Sequence, residues 1–118
     1  DVHTTAFRNL DRDVDTPQER LQSMINFFQG YIVDQKFCMC GMLAAEFESV
    51  SPAVKNSLNK YFRDFQAWLA AQFKAMGYAD AQNTALRFVS TLEGSLLLAR
   101  LQDDPKIVNQ ALQSFTMA

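Results

Sequence analysis

Three prolines punctuate this chain, and each follows a residue able to cap a helix: Thr16-Pro17, Ser51-Pro52 and Asp104-Pro105. Proline suits the first helical position, because its missing N–H would have no intrahelical partner there. The preceding side-chain oxygen accepts from the free N–H groups of the first turn. Thr16-Pro17-Gln18-Glu19 also reads as a capping box, with Glu19 reaching back to the Thr16 N–H. Local chemistry therefore marks three helix starts.

The apolar spacing fills in the bodies. From Pro17 to about Gln35, Leu21, Met24, Ile25, Phe28 and Ile32 recur at intervals of three and four. After Ser51, the residues Val54, Leu58, Tyr61, Phe62, Phe65, Trp68, Leu69, Phe73 and Met76 form one broad face, and Gly77 is placed to stop that helix. Asp80 caps a helix to about Leu101, with Ala81, Ala85, Phe88, Leu92, Leu96 and Ala99 in register. A last helix after Asp104 carries Ile107, Val108, Ala111, Leu112 and Phe115. A helix tail ending near Val14 and a short helix over about Met39 to Ser49 complete the reading: all-α, about six helices, no sheet and no internal repeat.

Composition excludes several classes. At 118 residues, 48% hydrophobic and 20% charged, the chain fits one globular domain. Its eleven basic residues are scattered and the net charge is −2, so the chain offers no basic patch for nucleic acid. No apolar run is long enough to cross a bilayer, and no signal-peptide pattern is present. Two cysteines without a larger framework suit a reducing cytoplasm. The chain begins at Asp1 without Met, which points to a longer parent.

In "FVSTLEGSLLLARL", Leu96, Leu97 and Leu98 are consecutive. Consecutive helical residues point about 100° apart, so one core cannot cover all three. A helix apolar on two sides is buried on two sides, and the second side points to another subunit.

The stretch "FCMCGMLAAEFE" holds both cysteines, Cys38 and Cys40. Structural zinc wants four Cys or His ligands, and this chain offers two Cys and the distant His3. On a helix, residues two apart diverge by about 200°, so a disulfide between the two cysteines would strain the backbone. No metal or cofactor is expected. Lys36 gives slight support to a thiolate-based redox or electrophile sensor, against packing of both thiols as small hydrophobes. No Ser/His/Asp or Cys/His set and no Gly-rich phosphate loop appears, so an enzyme is the least favoured class. Glu46 and Glu93 interrupt apolar stretches, which suits a pocket-facing or interface acid, with Arg87 or Arg100 within reach of Glu93.

The aromatic residues carry the ligand reading. Phe27, Phe28, Tyr31, Phe62, Phe65, Trp68 and Phe88 lie on three helices expected to converge. As a set they suit a largely apolar pocket with Tyr31 and Trp68 as polar handles. Met39 and Met42 adapt to varied ligand shapes, and Gly41 and Gly94 leave space against a neighbouring helix. Core packing alone would account for each aromatic singly.

The order of these pieces resembles a known family. "CMCGMLAAEFE", "SPAVKNSLNKYFRDFQAWLAAQFKAMG" and "ALRFVSTLEGSLLLARLQDDP" with a final helix resemble the C-terminal regulatory domain of TetR-family transcriptional regulators, of the shorter AcrR-like kind, over roughly residues 20–117. The resemblance implies a homodimer in which helices 80–101 and 104–117 build a four-helix bundle with their mates. It implies a repressor whose small apolar or aromatic inducer sits among the central helices. The inducer would alter operator binding by an N-terminal helix-turn-helix outside this sequence. Residues 1–14 would be the end of the connecting helix, and 15–118 the ligand-binding and dimerisation domain. On this reading the effector meets Phe27, Phe28, Tyr31, Met39, Met42, Glu46, Phe62, Phe65, Trp68 and Phe88. The dimer interface takes Leu86, Ser90, Glu93, Leu97, Leu98, Leu101, Val108 and Leu112. A helical dimerisation module without a ligand is the alternative, alongside the thiol sensor.

Overall fold

The computed structural model describes residues 9, 12, 16–33 and 47–116, with the side chains of 31–33 and 47 outside the description. Among these residues there are four α-helices: α1 (Pro17–Val33), α2 (Pro52–Ala75), α3 (Ala81–Leu101) and α4 (Lys106–Thr116). A short 3-10 turn spans Phe47–Ser49, and no strand occurs among the described residues. The described residues thus show four helices, and the count of about six is not matched among them. The two further helices expected over residues 1–14 and 39–49 fall mostly outside the description. Of the first, Asn9 and Arg12 are helical and joined by an Arg12 Nη2 to Asn9 Oδ1 bond of 3.0 Å.

The capping chemistry is in place. Thr16 Oγ1 accepts from the Glu19 N–H at 3.2 Å, the first half of the expected box. Ser51 Oγ accepts from Val54 N–H at 3.3 Å and Asp80 Oδ1 from Asn83 N–H at 3.3 Å. Asp104 Oδ1 accepts from Lys106 N–H at 3.1 Å, so α4 begins one residue after Pro105. Each bond satisfies an N–H that the helix itself cannot.

Helices α2 and α3 end in the same way. The Gly77 N–H donates to Lys74 O and the Tyr78 N–H to Phe73 O, both at 3.0 Å, with Gly77 at φ +90°. The Asp103 N–H donates to Arg100 O at 3.3 Å and the Asp104 N–H to Ala99 O at 2.9 Å, with Asp103 at φ +50°. These are Schellman closures, which need a left-handed residue just past the helix end. Both connections are short, so α3 lies antiparallel beside α2 and α4 beside α3, and these two pairings are the most extensive in the fold. Helix α1 packs chiefly on α4 and less on α2 and α3.

The core is where these faces meet. Leu21, Met24, Ile25 and Phe28 of α1, Phe65, Leu69 and Phe73 of α2, Phe88, Leu92 and Ala99 of α3, and Val108 and Leu112 of α4 are all buried. Burying each large apolar side chain contributes about 1.5–3 kcal/mol. Three buried polar side chains are satisfied. Gln72 Oε1 accepts from Arg20 Nη1 and its Nε2 donates to Trp68 O, both at 3.3 Å. Thr84 Oγ1 donates to Asp80 O at 2.8 Å, and Ser95 Oγ donates to Leu92 O at 2.9 Å.

Candidate functional site

Two aromatic groups lie along α2. Near its middle, Phe28 of α1 stacks on Phe65 with centroids 5.9 Å apart and ring planes 29° apart. Phe27 meets Phe28 edge-on at 5.3 Å, and Tyr61 contacts Phe62 at 5.1 Å and Phe65 at 6.1 Å. At its C-terminal end, Phe73 meets Tyr78 at 5.0 Å, Phe88 at 5.9 Å and Phe115 at 6.0 Å, while Phe88 and Phe115 meet at 5.2 Å. Such edge-to-face and offset contacts are the geometries the ring quadrupole favours.

A different surface lies on the far side of α3. Leu96 is buried, but Leu97 is 61% and Leu98 47% exposed. Leu86 and Leu101 are also exposed, at 50% and 72%. Leu86, Ser90, Gly94, Leu97 and Leu101 follow one another at three-and-four spacing, which puts them on one face. A Cβ added at Gly94 would meet nothing within 4 Å, so this face has open room in the protomer.

Residues 17–114 match the family model of the "Transcriptional regulator LmrA/YxaF-like, C-terminal domain", a TetR C-terminal domain. The chain belongs to the TetR family. A TetR-family transcriptional regulator from Agrobacterium tumefaciens superposes with a TM-score of 0.89 at 25% identity, over 97% of this chain and 65% of that one. A TetR transcriptional regulator from Legionella pneumophila gives 0.85 at 25% identity, over 95% of this chain and 62% of that one. The chain therefore spans somewhat less than two thirds of the length of both. Comparison with curated protein sequences gave no significant match.

As a TetR C-terminal domain, the chain places the residues singled out in its sequence as follows. Phe28 and Phe65 meet between α1 and α2, and Phe27, Phe62 and Trp68 pack half-buried against the same core. Tyr61 joins them, a residue its position on the apolar face of α2 could have added. Phe88 does not join them: its ring contacts are Phe73 and Phe115. The short Gly77–Asp80 connection is the signal for this, since an antiparallel hairpin sets early α3 against late α2. Tyr31 belongs to α1, with its side chain outside the description, and Met39, Met42, Glu46, Gly41, Cys38 and Cys40 lie outside the described residues. Among the described residues, no group of three or more His, Cys, Asp or Glu could hold a metal ion.

Of the residues expected at a dimer interface, Leu86, Ser90, Leu97, Leu98 and Leu101 are exposed on α3 and Glu93 is half-buried. Val108 and Leu112 are a correction: both are fully buried within the protomer and have no surface left for a partner. Helix α4 has one apolar stripe, and it spends that stripe on α3 and α1. Beside Gly94 the space is open within the protomer. Among the described residues no helix is long and apolar enough to cross a membrane.

Proposed function

We propose that this chain is the effector-binding and dimerisation domain of a TetR-like repressor. An apolar small molecule would act on it to alter operator binding by an N-terminal helix-turn-helix in the parent protein. The observation that carries the reading is the second apolar side of α3. Four leucines stand open on a helix whose opposite side is already in the core. A stripe of this kind costs free energy in water, and a second copy of the same helix offers a matching stripe to cover it. Ser90 and Gly94 between the leucines let two backbones approach closely. Leu86, Ser90, Glu93, Leu97, Leu98 and Leu101 then form the seam.

The effector reading rests on the Phe27, Phe28, Phe62 and Phe65 group with Trp68 beside it. Tyr31, Met39, Met42 and Glu46 are its further proposed wall. The mechanism is a population shift: the effector favours one packing of α1 on α2 by its difference in affinity between the two packings.

Light scattering at micromolar concentration tests the dimer. A mass of twice the protomer is expected, and a monomer mass would remove the seam. Thermal-shift screening against a panel of small aromatic and aliphatic compounds tests the effector. A hit should raise the melting midpoint in a dose-dependent way. If none does so in the intact parent protein either, the ligand-free dimerisation module becomes the better reading.

A further inference from the structure

Helix α1 is gripped by a single residue of α4 from two points. Gln22 Nε2 donates to Asn109 Oδ1 at 3.4 Å, and the Asn109 backbone N–H donates to Gln29 Oε1 at 3.3 Å. Gln22 and Gln29 are seven residues apart, two helical turns, and so stand on the same face of α1. Asn109 is the fourth residue of α4. Its N–H bonds a side chain supplied from another helix, a directional link between α4 and α1. Gln22 Nε2 also donates to Asn26 Oδ1 at 3.0 Å, which holds the reaching amide in place.

The buried face of α1 is otherwise Leu21, Met24, Ile25 and Phe28, and the hydrogen bond from Arg20 Nη1 to Gln72 Oε1 goes to α2 and not to α4. Apolar burial is non-directional, whereas a hydrogen bond loses its value within a few tenths of an ångström or a few tens of degrees. An apolar stripe alone tolerates axial slippage, and packed elements are known to shift past one another by about one turn, 5.4 Å. Directional contacts are what forbid it. We propose that Gln22 and Gln29 form a two-point clasp on Asn109 that fixes the register of α1 on α4. Helix α1 is then a layer that loosens as a unit when the clasp opens, while α2 and α3 stay paired. The inference rests on neither effector nor dimer, so its failure would leave the proposed function standing.

Amide hydrogen exchange on the 118-residue chain tests it, read separately over α1 and α3. In the Gln22→Ala/Gln29→Ala double variant, exchange in α1 is expected to rise about tenfold, the combined effect of two modest hydrogen bonds, with α3 unchanged. Gln29→Glu keeps an acceptor for the Asn109 N–H and should exchange like the native chain, whereas Gln29→Ala should not. Unchanged α1 exchange in the double variant would overturn the clasp. So would equal acceleration of α1 and α3, or complete unfolding, because either would make the two glutamines general stabilisers rather than a register lock.

Discussion

Phe73 and Tyr78 meet edge to face at 5.0 Å across the end of α2, while the Tyr78 N–H donates to Phe73 O at 3.0 Å. The same two residues thus close the helix through the backbone and seal it through their rings. Tyr78 Oη also reaches Phe115 O at 3.5 Å, so the closure of α2 abuts the end of α4. The apolar contact that accompanies a Schellman turn is here part of the Phe73–Phe88–Phe115 group.

The closure depends on Gly77 at φ +90°. Although a Cβ there would meet no neighbour, an L side chain in the left-handed region costs about 1–2 kcal/mol. Gly77→Ala should lower unfolding stability by about that amount in denaturant titration at fixed protein concentration. An unchanged midpoint would mean that the turn relaxes to another closure.

Asp103 holds the equivalent position after α3 at φ +50°, where its acidic charge also faces the negative end of the helix dipole. Its carboxylate makes no capping bond; Asp104 does that work for α4. Asp103→Gly should stabilise the chain by about 0.5–1 kcal/mol, the relief of left-handed strain less the extra unfolded-state freedom of glycine. A loss of stability would show that the Asp103 side chain has a role beyond the turn.

Leu97 and Leu112 should separate cleanly. Leu112 is fully buried and Leu97 is 61% exposed. Leu112→Ala should cost about 2–5 kcal/mol in unfolding, as core truncations do. Leu97→Glu should leave the protomer folded, as judged by circular dichroism, and weaken association by tenfold or more, since it would bury a carboxylate in the seam. An unchanged association constant would move the seam off this face.

Gly94 gives an opposed pair of effects. Ala is better than Gly inside a helix by about 0.8–1 kcal/mol, and the site is open in the protomer. Gly94→Ala should therefore stabilise the monomer. On the proposed seam the added methyl would overpack, and sedimentation should show association weakened by about tenfold. A variant that gained stability without losing association would place Gly94 outside the contact.

The helix starts were legible because capping is local chemistry: Thr16, Ser51, Asp80 and Asp104 each bond an N–H two or three residues on. The stops at Gly77 and after Leu101 follow the same logic. That Leu96, Leu97 and Leu98 could not share one core was legible from helical geometry, and Leu96 is the one the protomer covers. The fate of Val108 and Leu112 was not, because periodicity gives a helix an apolar face without naming what covers it. Here α1 and α3 take the face of α4 first. Phe88 follows a similar logic: a shared residue type suggests one cluster, whereas antiparallel pairing across Gly77 sets its ring against Phe73.

The two short closures also bear on the order in which the chain assembles. Contacts between α2 and α3, and between α3 and α4, join segments that are neighbours along the chain, and closing such loops costs little entropy. Helix α1 reaches α4 only across about eighty residues, as in the Asn109 to Gln29 bond. The three C-terminal helices can therefore nucleate as a hairpin of hairpins, with α1 condensing onto them last. During synthesis α1 leaves the ribosome before the other three helices, yet it must wait for α4 before its buried face has a permanent cover.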